Sequence, residues 1–245
     1  MVGNCAPSSP TIVIILIILN ENQMKENKVY TPPLEWDENK RSVYGGLGHP
    51  VRIFLGGTID NGNSEDWQSE VIKSVNNINL QRQVYFYNPR RENWPSADNH
   101  REIGKQIDWE LFHLEKSDRI FMNILASSKS PISLMEIGLF ARTGKLIVFC
   151  PKSFYRYDNV MKICEKYNVT LYTTNNIEYI TKKICEYVGI DEKAEKEKLK
   201  ISERESLLKM KENCKLPDGT ISKWYSKLFE EEKKRFEEEF GEPLC

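Results

Sequence analysis

The acid in "SPISLMEIGLF", Ser130 to Phe140, has little polar company: Glu136 stands among Ile132, Leu134, Ile137 and Leu139, which read as core-facing positions of a helix. Charge is rarely buried unless it is paired or used. The competing arrangement turns Glu136 out to solvent on an amphipathic helix, and spacing leaves both open. Asp108, Glu110 and Asp118 bracket the preceding predicted helix, and each could supply a second carboxylate. Two carboxylates beside a sugar acetal can carry out glycosyl transfer, because one attacks the anomeric carbon while the leaving group needs a proton.

Other polar groups arrive in short loops. "GGTIDNGN" offers Gly56, Gly57, Thr58 and Asp60; its paired glycines let backbone amides approach a ligand, although they match neither G-x-G-x-x-G nor the Walker pattern. "NPRRENW" carries Asn88, Arg90, Arg91 and Trp94, "NILASSKSPISLME" carries Ser130, and "CPKSFYRYDNV" carries Arg156 and Asn159. Arg90, Arg91 and Arg156 could grip a phosphate by forked hydrogen bonds or pair with surface acids. Trp67, Trp94, Phe154 and Tyr155 could stack on a flat base or pack into the core.

The elements that must position these groups alternate. "VRIFLGG" is an apolar strand ended by glycines, and "SEDWQSEVIKSVNNI" is a helix with a serine placed to cap it. "QVYFYNP" is a strand, and "EIGKQIDWELFHLEKSD" is a helix with Ile103, Ile107, Leu111 and Leu114 on one face. The pattern continues through strand "RIFMNIL", helix "ISLMEIGLFARTG", strand "KLIVFC", helix "NVMKICEKYNV", strand "TLYTT" and helix "IEYITKKICEYVG". Strands this apolar cannot face water on either side, so the pattern predicts a doubly wound, flavodoxin- or Rossmann-like α/β fold with a five-stranded parallel sheet and helices on both faces. In such a sheet ligands gather where loops leave the C-terminal strand ends, which is where all four polar loops fall.

This α/β domain is expected over residues 29–190, preceded by a 1–28 extension and followed by a charged helical extension over 191–245. In the latter, "DEKAEKEKLKISERESLLKMKENC" and "ISKWYSKLFEEEKKRFEEEF" flank a Pro-Asp-Gly turn and show one narrow apolar stripe, Trp224, Leu228 and Phe236. "TIVIILIIL", Thr11 to Leu19, would span about 14 Å as a helix against ~30 Å of hydrocarbon, so no membrane span is expected and a β-branched strand is the reading. Formal net charge is −1 over 245 residues, which argues against nucleic acid as a partner and for small molecules or proteins. The scattered cysteines, Cys5, Cys150, Cys164, Cys185, Cys214 and Cys245, contain no C-x-x-C pair; reduced thiols in an intracellular, cytoplasmic setting are expected, with an organelle left open, and neither a disulfide framework nor a zinc site.

The run "IFLGGTIDNGNSEDWQ…VYFYNPRRENW…QIDWELFHLEKSDRIFMNI…SPISLMEIGLFARTGKLIVFCPKSFYRYDNV" resembles the nucleoside 2-deoxyribosyltransferase family, in particular its divergent "like" branch, over about Val51 to Tyr172. The resemblance implies exchange of the base of a 2'-deoxynucleoside through a covalent deoxyribosyl-enzyme, with no metal or organic cofactor. It implies that Glu136 in "MEIG" is the nucleophile with Gly138 its companion glycine, and that Glu110 assists nucleophile and sugar. Asn159 then falls on the residue that binds the 5' hydroxyl, and "GGTID" on a loop lining the pocket. Where better-characterised members carry an acid facing the base, six residues before the nucleophile, this chain has Ser130, so the obvious donor for base protonation is missing. Two functions follow as expectations: transfer or hydrolysis at the N-glycosidic bond of 2'-deoxynucleosides or their monophosphates, or a catalytically reduced relative serving as a structural subunit. A homo-oligomer or larger assembly built through the N-terminal strand and C-terminal helices is expected in either case.

Overall fold

The computed structural model describes residues 27–32, 50–96, 98–213, 223–241 and 243–244. The Thr11–Leu19 run, the turn at 216–219 and the side chain of Trp224 lie outside the described residues. Along the chain come β1 (Lys28–Tyr30), β2 (Val51–Gly57), α1 (Trp67–Asn76), β3 (Val84–Tyr87), α2 (His100–Lys116), β4 (Arg119–Asn123), α3 (Pro131–Phe140), β5 (Leu146–Phe149), α4 (Tyr157–Tyr167), β6 (Thr170–Tyr172), α5 (Ile177–Val188), α6 (Glu192–Asn213) and α7 (Lys223–Phe240). The chain parts into two compact units, one ending at Gly189 and the other beginning at Ile190.

In the first unit the strands lie parallel in the order β1-β3-β2-β4-β5-β6. Without β1 this is the flavodoxin-like winding, whose direction reverses between β2 and β4. The expected doubly wound fold is therefore present, with six strands rather than five. The addition is Lys28–Tyr30, which pairs with β3 from Lys28↔Tyr85 to Tyr30↔Tyr87. Three residues beside prolines carry too little pattern to mark a strand, and only the pairing makes it one. Asn27 extends the edge, its side-chain oxygen accepting from the Val84 amide at 2.8 Å.

Alternate strand residues feed two cores. Ile53, Leu55, Phe86, Phe121 and Phe149 pack with Trp67, Val71, Ile180 and Ile184 under α1 and α5. Phe54, Ile120, Met122 and Val148 pack with Trp109, Leu114, Ile137, Phe140, Val160 and Cys164 under α2, α3 and α4. Each such large side chain, fully buried, contributes about 1.5–3 kcal/mol. The cap of α1 is Asp66 rather than a serine: its carboxylate accepts from the Ser69 amide at 3.1 Å. Cys150, Cys164 and Cys185 are buried.

The structure corrects the predicted faces of two helices. On α2 the buried side is Gln106, Trp109, His113 and Leu114, while Ile107 and Leu111 stay exposed. On α3 the inward residues are Ser133, Glu136, Ile137 and Phe140, and Ile132 and Leu139 face out. Periodicity orients a helix only when a polar face opposes the apolar one, and α3 has none.

In the second unit α6 and α7 bury Leu207, Phe229, Phe236 and Leu244, with Met210 and Phe240 packed against them. Their outer surfaces carry spaced ion pairs such as Lys227–Glu231 and Lys233–Glu237. Among the described residues no helix is long and apolar enough to cross a membrane.

Candidate active site

The reversal point between β2 and β4 is built on one glycine. Gly57 has φ 130, and a Cβ placed on it would stand 2.0 Å from the carbonyl oxygen of Asn123. No other residue fits without moving a strand. The strands can therefore come together as the chain leaves the sheet. Thr58, 1% exposed, donates its amide to that same carbonyl at 2.9 Å, and its Oγ1 accepts from the Leu125 amide at 2.9 Å. The carbonyl of Thr58 accepts from the Trp67 indole at 3.0 Å.

From Thr58 a hydroxyl net runs to the start of α3. Thr58 Oγ1 and Ser130 Oγ share a hydrogen at 2.6 Å. Ser128 Oγ donates to Asp60 Oδ1 at 2.7 Å and accepts from the Ser130 amide at 3.0 Å. These bonds hold Ser130 in the left-handed conformation, φ 44 and ψ 49, which a side chain ordinarily avoids. Pro131 then starts α3 with its dihedral preset. Helix geometry carries the consequence down the next turn: Glu136 is directed inward and is 9% exposed.

Facing it is Glu110 on α2. Burial, and then repulsion by Glu110, push the Glu136 carboxyl up to about 8. Burial pushes Glu110 up to about 7, against the opposing effect of a hydrogen bond from Gln106. Gln106 Nε2 donates to Glu110 Oε1 at 2.7 Å and to the Pro89 carbonyl at 2.9 Å, so one amide ties the acid to the loop after β3. Glu110 is thus the readier of the two to ionise, and Glu136 keeps its proton the longer as pH rises. The other two candidate acids are elsewhere. Asp118 is taken by Arg52, at 2.6 and 3.1 Å to the guanidinium and 2.8 Å to the amide, and Asp108 is exposed.

Arg90 is a clamp. Its guanidinium donates to the carbonyls of Gly62, Ser64 and Glu65 at 3.3, 3.2 and 2.8 Å, to Ser64 Oγ at 2.8 Å and to Gln68 Oε1 at 3.3 Å, and it pairs with Asp66 at 3.2 Å. Asn88 Oδ1 accepts from the Arg90 amide at 3.0 Å and sets the turn that delivers it. Trp94 lies against Gly62, where a Cβ would be 2.5 Å from the indole nitrogen. Asn88, Arg90 and Trp94 thus shape the loop after β2. Gly56 sits beside Met122, whose methyl would be 2.9 Å from an added Cβ.

Two arginines differ from Arg90. Arg91 keeps Nε and Nη1 buried without a hydrogen-bond partner, and Arg156 lies over the exposed ring of Tyr155 at 5.4 Å. Trp67 and Phe154 belong to the cores. Asn159 stands exposed in the first turn of α4, and none of the hydrogen bonds around the carboxyl pair reaches it. Sequence reasoning missed Gln106, Ser128 and Asn123. Gln106 was findable, one helical turn before Glu110. Ser128 and Asn123 carry no such signal: Asn123 is fully buried, with neither side-chain atom hydrogen-bonded, because it ends a central strand.

Two neighbouring carboxyls, Glu136 buried and Glu110 partly buried, both held against ionisation on the helices that flank β4, are the feature to compare with known proteins. Residues 50–154 match the family model described as nucleoside 2-deoxyribosyltransferase like. The matched stretch contains Glu110, Ser130 and Glu136 and ends before Asn159. Among solved structures, the crystal structure of a conserved protein from Enterococcus faecalis V583 is similar at 12% identity and a TM-score of 0.40, over 55% of this chain and 99% of that one. No curated protein matches the sequence.

Proposed function

We propose that this chain cleaves the N-glycosidic bond of a 2'-deoxynucleoside or its 5'-monophosphate through a covalent Glu136 intermediate. The observation that carries the reading is the Glu110–Glu136 pair, one carboxyl buried and the other partly buried and both held against ionisation, inside the stretch that matches the family model. A carboxylate oxygen of Glu136 attacks C1' as the C1'–N bond breaks, and the electron pair of that bond leaves with the base, which takes up a proton. Glu110, the readier of the two to ionise and oriented by Gln106, takes the proton that Glu136 must give up to attack, so that only one of the two carboxyls is charged at that moment. The positive charge that grows on the sugar attracts a poorly solvated carboxylate more strongly than water would allow. A second base or a water molecule then attacks C1' and expels Glu136.

The test is incubation of the protein with a deoxynucleoside or a deoxynucleoside monophosphate, with and without a second base, followed by chromatography of the bases. Release or exchange by the wild type that falls at least a hundredfold in Glu136→Ala is expected. Equal, negligible turnover by both on every substrate would refute the reading.

One observation favours a second reading, a catalytically reduced structural subunit. Ser130, in the position where an acid would face the base, is 4% exposed and committed to Thr58 and Ser128. That reading predicts no base release even when Ser130→Asp restores the acid.

A further inference from the structure

Between β1 and α1 the first unit holds a cleft of about 880 Å³, within the ~300–1,000 Å³ of small-molecule sites. Both of its ends are tied. At one, Asn27 Nδ2 donates to Asn76 Oδ1 at 2.8 Å and joins the start of β1 to the end of α1. At the other, Arg90 bonds Gln68 Oε1 and pairs with Asp66 at the start of α1. Val29 and Thr31 line the cleft from the strand side, and Ser69, Ile72 and Lys73 from the helix. Ile72 belongs to the core that contains Ile53 and Phe86, whereas Trp109 and Ile137, next in the chain to Glu110 and Glu136, belong to the other. The sheet therefore lies between this cleft and the carboxyl pair.

The charges lining the cleft do not balance. Arg90 and Asp66 pair with each other, which leaves the cations of Arg91 and Lys73 against one exposed acid, Glu92. Lys73 is exposed and makes no ion pair among the described residues. Arg91 is the sharper anomaly, because its Nε and Nη1 are shut off from solvent with no hydrogen-bond partner. In the same loop Trp94 Nε1 is left in that condition too, so every orphaned side-chain group of residues 88–94 is a donor. A guanidinium cannot shed its charge, and burying it without an acceptor is an uncompensated cost. Glu102 does not relieve it. A hydrogen bond from Lys105 at 2.8 Å holds the Glu102 carboxyl below its usual range, with the Arg91 charge a lesser cause, and no hydrogen bond joins Glu102 to those two nitrogens.

The group that fits these donors is an oxyanion of more than one charge. A phosphate monoester brings up to two negative charges for Arg91 and Lys73, and paired oxygens for a guanidinium fork. The rest of the cleft suits an organic body better than a bare ion: Val29, 43% exposed, offers apolar surface, with Thr31 and Ser69 hydroxyls beside it. We infer that the cleft between β1 and α1 binds a small phosphate ester, with Arg91 and Lys73 on its phosphate and Val29 against its organic part. The site is separate from the carboxyl pair, and the inference stands whether or not that pair cleaves a nucleoside.

Phenyl phosphate, which has no glycosidic bond, is the probe, and calorimetry and thermal melting of the full chain are the measurements. It should bind and raise the thermal midpoint. Phenol should do neither, and inorganic phosphate, lacking the organic part, should bind at least about tenfold more weakly. Arg91→Met and Lys73→Met should each weaken the ester, the first by at least about tenfold. Without ligand, Arg91→Met should melt no lower than wild type, because it removes an unpartnered charge. Arg156→Met should bind as wild type does, and so should Glu136→Ala, which separates this inference from the proposed cleavage. No binding of phenyl phosphate at millimolar concentration would overturn the inference, as would undiminished binding to either cleft variant or equal affinity for inorganic phosphate. An Arg91→Met chain that melts well below wild type, or does not fold, would assign the guanidinium to the fold and overturn it as well.

Discussion

Replacing Glu136 by glutamine should stabilise the protein in base but not in acid. In the unfolded chain Glu136 loses its proton near 4.5, whereas in the folded protein burial and Glu110 hold it until about 8. Between those values the unfolded state binds fewer protons than the folded one, so stability falls as pH rises through that window. Each pH unit of separation is worth about 1.4 kcal/mol, which bounds the full effect near ~5 kcal/mol. Glutamine also relieves Glu110 but brings an amide that wants a partner, so about 3 kcal/mol is the expected gain at pH above the folded value. Below about pH 4.5 both chains are neutral at this position, and only the amide's pH-independent cost remains. Urea unfolding at matched protein concentration, followed by the fluorescence of buried Trp67 and Trp109, measures the difference at both ends. A difference that is the same in acid and base, or a glutamine variant less stable in base than in acid relative to wild type, would refute the claim that Glu136 is buried beside another carboxyl.

If the singly protonated pair is the working form, base release should peak between about 7 and about 8 and fall on either side, and a rate flat across that range would count against it. Gly57→Ala forces a Cβ against the Asn123 carbonyl and should cost at least about 3 kcal/mol, read as a lowered thermal midpoint. Arg90→Lys keeps the charge but loses the fork that gathers Gly62, Ser64 and Glu65, and should cost about 2–3 kcal/mol. Limited proteolysis between β2 and α1 should accelerate in that variant, and unchanged cleavage would show that the loop holds without it.

The layered architecture was legible because strand and helix patterns are local. Strands such as "RIFMNIL" are apolar on both faces, which no antiparallel, half-solvated sheet would tolerate, and that alone brings the polar loops to one edge. Glu136 also stood out locally, as an acid with no polar neighbours. Local pattern could not say which acid opposes it. Asp108, Glu110 and Asp118 are equivalent by composition, and only the folded chain brings Glu110 near enough to Glu136 to repel it while Arg52 takes Asp118. Nor could it orient the helices: Ile107 and Leu111 read as core, yet Gln106 and Trp109 turn inward in their place. The arginine of "NPRR" looked like a ligand-binding cation, but Arg90 braces the loop between β2 and α1. Sequence by itself therefore determined the layers, the edge that carries the candidate site and one of its candidate acids. Tertiary structure decided the partner acid, the roll of both helices and the work of Arg90, because each depends on contacts between segments far apart in the chain, which local spacing does not encode.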